Sequence, residues 1–171
     1  MPIDPAYRTP HGLTNEMRSA LAAQGNAVLG TVNEDGSPHL TELLFLLDDD
    51  DRVLLPTPHN TRKLRNLQAR PIATVFFNEG PGWVSCTGPT HILTGEDAED
   101  ANRRNRNRLL TESGHASIGR VLAEHEDTTI VVTPERWLSW NAAGVVAAVA
   151  ALGVDPDEHP SEGWFKDLSA E

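Results

Sequence analysis

Residues 27–32, Ala27-Val28-Leu29-Gly30-Thr31-Val32, run through the turn cluster Asn33-Glu34-Asp35-Gly36 and Ser37-Pro38 into His39-Leu40-Thr41-Glu42-Leu43-Leu44-Phe45-Leu46-Leu47. This stretch decides the fold. Its first part is rich in strand formers, its middle is turn chemistry, and its last nine residues read as a second long strand. The Asp35-Gly36 step supplies the positive φ that a tight hairpin needs. In the second strand Leu40, Leu44 and Leu46 alternate with Leu43, Phe45 and Leu47, so both faces are apolar. Such a strand is expected inside the fold or inside a contact between subunits.

Outward from the hairpin the same grammar continues. Residues 48–51 form a turn, and 53–55, 72–77, 83–93 and 128–132 read as four more strands. The long fifth strand carries Gly88-Pro89, where a bulge or bend is expected. Helices interrupt the series. Thr14 is a candidate N-cap for a first helix with Met17, Ala20 and Leu21 at helical spacing and Gly25 as its stop. Others are expected at 62–69, within 96–110 and at 118–124. Six short strands joined mostly by hairpin-length turns indicate a β-rich α+β fold, an antiparallel barrel or sandwich with short peripheral helices. Residues 1–140 form the expected domain. Residues 141–171 differ in composition: a helix at 142–152 stopped by Gly153, an irregular stretch with Pro156 and Pro160, then Trp164 and Phe165. That tail is expected to dock on the barrel or on a partner subunit.

Bulk properties narrow the class. The net charge of −11 argues against a nucleic-acid binder, which needs clustered cations for phosphate neutralisation. No apolar run approaches the ~20 residues of a bilayer span, and residues 1–5 show no secretory signal, so a soluble cytoplasmic protein is expected. The single cysteine, Cys86, leaves no internal disulfide and agrees with a reducing compartment. It reads as a small core residue rather than a nucleophile. The seven histidines are scattered without ligand spacing, so no metal site is expected. No glycine-rich dinucleotide fingerprint follows a strand.

Chemistry concentrates in Leu55-Pro56-Thr57-Pro58-His59-Asn60-Thr61-Arg62-Lys63-Leu64-Arg65-Asn66-Leu67. A strand ends, a polar turn follows, and a helix starts at Asn60 or Thr61. Its first turn offers free backbone N–H groups together with Arg62 and Lys63, a ready site for an anion such as a phosphate monoester. Cations in a first turn oppose the helix dipole, a conflict that an anionic ligand relieves. Leu64 and Leu67 pin the other face to the core. The alternative is a solvated helix end with ordinary surface arginines. His59 is either a cofactor contact or an exposed turn residue, the turn being favoured.

The order of these features, hairpin, apolar strand, Asp-rich turn, short strand, 61–67, Arg70-Pro71, strand, Gly82-Trp83-Val84 and the Gly88 turn, resembles the pyridoxamine 5'-phosphate oxidase-like superfamily. Within it, the sequence is similar to the flavin- and deazaflavin-dependent oxidoreductase branch. The resemblance spans about residues 27–140 and implies a six-stranded split β-barrel acting as a homodimer, with each cofactor between two subunits. It implies that Arg62 and Lys63 grip the cofactor phosphate, with Thr61 adding a hydroxyl. Leu55, Pro56 and Thr57 would run beside the ring and ribityl chain. His39, Leu40, Thr41 and Glu42 would form the facing strand, and Trp83 would lie near the dimer-related half of the pocket. The arginine-rich C-terminal segment of true pyridoxamine phosphate oxidases is absent, since residues 134–140 hold only Arg136. Vitamin B6 oxidation is therefore not expected.

The implied cofactor is FMN, with the deazaflavin coenzyme F-420 as the alternative. Arg65, Arg70 and the arginines at 103–108 are available for the deazaflavin's anionic tail. The 103–108 group is more simply read as balancing Glu96, Asp97, Glu99 and Asp100 along one helix. The expected activity is hydride transfer between the cofactor and a small organic substrate. No catalytic side chain is expected, because the hard chemistry belongs to the cofactor. A non-enzymatic flavin- or haem-binding module is the competing reading, with His39, His59 or His91 as the candidate haem ligand. An enzyme using the cleft without a redox cofactor is a third.

Overall fold

The structure, a computed structural model, describes residues 7–8, 12–79 and 82–153. Among them nine strands appear: β1 (Tyr7–Arg8), β2 (Asn26–Val32), β3 (Pro38–Leu44), β4 (Leu46–Leu47), β5 (Val53–Thr57), β6 (Ile72–Glu79), β7 (Gly82–Thr94), β8 (Thr128–Val132) and β9 (Arg136–Asn141). The helices are α1 (Asn15–Ala22), α2 (Arg62–Ala69), α3 (Gly95–Leu109), α4 (Glu112–Gly114), α5 (Arg120–His125) and α6 (Ala142–Ala151).

All strand pairs are antiparallel, in the order β3-β2-β6-β7-β8-β5-β4, with β9 also on β7 and β1 on β9. The sheet curls into a split barrel whose two halves share one long strand. The first part of β7 pairs with β6 and β9, and its last five residues pair with β8. Gly88 sits just before the handover. A Cβ there would lie 1.9 Å from the Thr133 carbonyl oxygen, so only glycine lets the β8–β9 connection approach β7 this closely.

The core lies inside the curl. Leu29, Val75, Phe77, Val84, Leu55, Ile130 and Val132 are fully buried, and Phe45 meets Phe77 edge-on with centroids 4.9 Å apart. Met17 and Leu21 of α1 and Leu64 and Leu67 of α2 close its ends. The Thr14 hydroxyl accepts from the Met17 amide at 3.2 Å, capping α1 as expected. A smaller cluster of Leu46, Leu54, Ala101 and Val131 packs beneath α3.

Three expectations change. The strand expected at 39–47 is two strands: β3 stops at Leu44, and Phe45 turns its amide to the Gly25 carbonyl while its own carbonyl accepts from Arg108. Leu46 and Leu47 then join the other half of the barrel. Of the two places expected for it, β3 does not take the interior of the fold: it is an edge strand with Leu40 68% exposed. The sequence also missed β9, so the described sheet has more than six strands, and the helix expected at 118–124 is the end of a helical run that starts at Glu112 and contains a π turn, His115–Gly119. The helix at 142–151 and its stop at Gly153, φ +82°, agree with expectation. Residues 154–171, with Trp164 and Phe165, lie outside the described residues.

Candidate functional site

The site grows from the junction of β5 and α2. All five residues of β5 are buried, ending at Thr57. Thr61 is the N-cap of α2, in extended conformation, yet its hydroxyl makes no capping bond and is buried without a partner. Lys63 turns inward rather than to solvent. It is 7% exposed, and its one hydrogen bond among the described residues is from Nζ to Thr57 Oγ1 at 3.0 Å. Burial pulls the Lys63 ammonium below its ordinary pKa. The first turn of α2 and its N-cap thus carry a buried positive charge, an orphan hydroxyl and the helix's leading amides, and no acidic residue.

Arg62 faces elsewhere. With Arg65, Asn66 and Arg70 it lines a groove of about 750 Å³ against the β2–β3 turn, residues 32–35. Asn66 Nδ2 donates to Thr31 Oγ1 at 3.0 Å and Asn33 Oδ1 at 3.1 Å, and Arg70 donates to the Asn33 carbonyl at 2.6 Å, so α2 is tied to the hairpin. The side chains of Arg62 and Arg65 make no hydrogen bond or ion pair among the described residues. Asp35 is held below the usual carboxylate range by the Ser37 hydroxyl and amide, with Arg62 adding its charge. The basic pair read from the sequence is thus divided between a buried side, Lys63, and an open groove, Arg62.

The other expected residues divide by strand alternation. His39 and Thr41 share the face of Thr31 and Leu29, their partners in register on β2, with Thr41 Oγ1 3.4 Å from His39 Nδ1. Leu40 and Glu42 point to the opposite, outer face, where Glu42 accepts from Asn26 Nδ2. On β5, Leu55 belongs to the core cluster with Thr57 on the same side. Pro56 alternates to the side of α3, opposite Thr129, whose hydroxyl bonds Asn102 of that helix. Trp83 lies on the outer face, opposite Trp140 and beside Phe76 at 5.8 Å between ring centroids. The structure therefore joins Lys63 to Thr57 and leaves the hydroxyl of Thr61, the N-cap of the same helix, buried and unbonded. It puts Leu40, Glu42 and Trp83 on the outer face instead.

Two constellations had no signal in the sequence, because each depends on a partner distant in the chain. Asp127 reaches 68 residues back to accept both the His59 amide, at 2.8 Å, and His59 Nδ1. Under α3, Asn102, Asn105, Arg106 and Glu126 form a buried polar cluster in which Arg106 Nη1 lies 3.8 Å from Glu126 Oε2. Burial raises the Glu126 pKa, Arg106 opposing and Glu99 adding to the shift. Three of the four arginines of α3 are absorbed locally: Arg103 pairs with Asp100, Arg106 with Glu99, and Arg108 bonds backbone carbonyls. Cys86 is 1% exposed in the core, its thiol pushed up to about 12 by burial. Among the described residues no three His, Cys, Asp or Glu side chains cluster as metal ligands, and no helix is long and apolar enough to cross a membrane.

Comparison with solved structures places this geometry. The conserved hypothetical protein Rv2991 from Mycobacterium tuberculosis superposes with a TM-score of 0.68 at 18% identity, covering 92% of this chain and 95% of its own. HutZ, the haem storage protein from Vibrio cholerae, superposes with 0.58 at 17% identity over 74% of this chain and 92% of its own. A pyridoxamine 5'-phosphate oxidase-related, FMN-binding protein from Nostoc punctiforme gives 0.51 at 17% identity, with 74% and 78% covered. At these identities the likeness is one of fold. No curated protein matches the sequence. The profile of the pyridoxamine 5'-phosphate oxidase family matches residues 13–141, from the start of α1 to the end of β9, and the chain belongs to that family.

Proposed function

We propose that the chain is an oxidoreductase that binds FMN, or in its place the deazaflavin coenzyme F-420, and transfers hydride to or from a small organic substrate. The observation that carries this is Lys63: a buried ammonium whose one described partner is the neutral Thr57 hydroxyl, beside the unpaired Thr61 hydroxyl. A charge removed from water needs a counter-charge or it loses its proton. A phosphate placed there would accept from Lys63 Nζ, from Thr61 Oγ1 and from the leading amides of α2. The cofactor supplies the electron chemistry, and the protein binds, orients and shields it. FMN binding by a related fold supports the first choice. Arg62 and Arg65 in the adjoining groove would receive a longer anionic extension such as the deazaflavin's.

The active form is proposed to be a homodimer closing through the outer face of β3, β2 and β6. There Leu40, Ile72, Phe76 and Val32 remain 68%, 51%, 38% and 38% exposed on the described chain, an apolar patch that suits self-association. In that arrangement Leu40, Glu42 and Trp83 would reach the partner's side of the cleft.

Reconstitution followed by desalting and a visible spectrum tests the assignment. Retention of a flavin's two bands, or of the single deazaflavin band, is expected at micromolar cofactor. A Soret band with neither would transfer the protein to the haem-binding class, a role the fold also serves in HutZ. Retention of none of the three would reject the proposal.

A further inference from the structure

His59 is 71% exposed at its side chain, and an exposed histidine on a loop ordinarily samples several rotamers. Here it is fixed twice. Its backbone N–H donates to Asp127 Oδ1 at 2.8 Å, and its ring Nδ1 is bonded to Asp127 Oδ2. Asp127 Oδ1 also accepts from Thr128 Oγ1 at 3.1 Å. A carboxylate can only accept, so Nδ1 carries the hydrogen and Nε2 is the atom left to face outward. Burial works against the Asp127 charge, but the bonds from His59 and Thr128 outweigh it and hold the carboxyl below its usual range.

The place of this pair gives it meaning. His59 lies two residues beyond Thr57, the partner of Lys63, and two before Thr61, the orphan hydroxyl. Each two-residue step spans at most about 7 Å, so the His59 backbone stands on the arc that joins both ends of the proposed phosphate cradle. The charged groups around that arc are Asp127 ahead of β8 and Arg62 and Lys63 opening α2. The chain carries 25 acidic residues, yet a single one, Asp127, contacts His59 among the described residues. It does so through Nδ1 and leaves Nε2 free.

We infer that His59, held by Asp127, is a third ligand for the cofactor's phosphate, alongside Lys63 and Thr61; this rests on the phosphate reading above. With Nδ1 committed to Asp127, Nε2 donates to a phosphate oxygen when the ring is protonated. Asp127 touches the ring alone and is a positioning residue. Its bond to the His59 amide also fixes the backbone from which the ring projects.

The test compares FMN with riboflavin, which lacks the phosphate, in the full-length protein. The readout is the ratio of their affinities, which a merely structural role for His59 would leave unchanged. His59→Ala should lower the FMN preference about tenfold, as expected for one charge-assisted bond, with riboflavin affinity unmoved. His59→Lys, which restores a cation, should keep the ratio within about threefold of the parent. Asp127→Asn should give a partial loss. If His59→Ala leaves the ratio unchanged while Lys63→Met collapses it, the inference is overturned and the phosphate site stands. If the parent itself binds riboflavin as tightly as FMN, the phosphate reading falls and the inference with it.

Discussion

Replacing Lys63 by methionine should move cofactor affinity and apo-protein stability by very different amounts. Methionine keeps the apolar length of the stem and removes the ammonium. The bond lost to the ligand is charge-assisted, worth about 1.5–3 kcal/mol, which at about 1.4 kcal/mol per decade weakens FMN binding roughly 10- to 150-fold. Riboflavin should bind the variant and the parent alike. In the apo-protein the loss of the Lys63–Thr57 bond costs about 1 kcal/mol, and removing a desolvated charge offsets it. The net change in stability is expected to stay within about 1 kcal/mol. Flavin fluorescence quenching reads the affinities and guanidinium titration of the apo-protein reads the stability. An FMN affinity within about threefold of the parent would refute the role of Lys63. So would a loss of apo stability above about 3 kcal/mol, which would mark the lysine as part of the scaffold.

Gly88→Ala should destabilise the barrel by about 3 kcal/mol or more, since the new methyl would meet the Thr133 carbonyl oxygen at 1.9 Å, in backbone held to β7 by the bond from the Thr133 amide to the Pro89 carbonyl; thermal melting checks it. Leu40→Glu, on the outer face of the edge strand, should leave the melting temperature nearly unchanged but raise the dimer dissociation constant at least about tenfold, read by light scattering across a dilution series. For Glu126 the folded-state pKa is raised, so the folded protein holds that proton to higher pH than the unfolded chain does. Its contribution is present below the ordinary value of 4.5 and is lost as pH rises through the raised value. Glu126→Gln should therefore gain stability relative to the parent as pH is raised across that interval, and a gain of opposite sign would show that the Arg106 pairing dominates.

Local chemistry carried most of what could be read in advance. The hairpin needs Gly36 at φ +86°, Thr14 caps α1, and Gly153 ends α6, each decided by neighbouring residues. The 62–69 helix and the shared strand with its glycine bend were legible for the same reason. What alternation could not say was which partner each face of a strand would meet. Two apolar faces on the 39–47 run fit either the fold's interior or a subunit contact, and alternation could not choose; on the chain Leu40 is on an edge, and Phe45 breaks the strand to reach the Gly25 carbonyl. β9 was obscured because Trp137-Leu138-Ser139-Trp140 follows Pro134 closely and precedes an alanine-rich helix. In the site, the cluster of basic residues was visible. Its division was not, since it depends on Lys63 folding under toward Thr57 while Arg62 faces the hairpin turn. The His59–Asp127 bond joins residues 68 apart and is created by the β5–β8 pairing, which no local pattern encodes.

A crystal structure of the protein with FMN bears most directly on the central claim that the β5–α2 junction cradles an anionic headgroup. The phosphate oxygens should lie about 3 Å from Lys63 Nζ and Thr61 Oγ1, with the ring running from there along β5. Density for the phosphate anywhere else, with Lys63 still bonded to Thr57 alone, would contradict it.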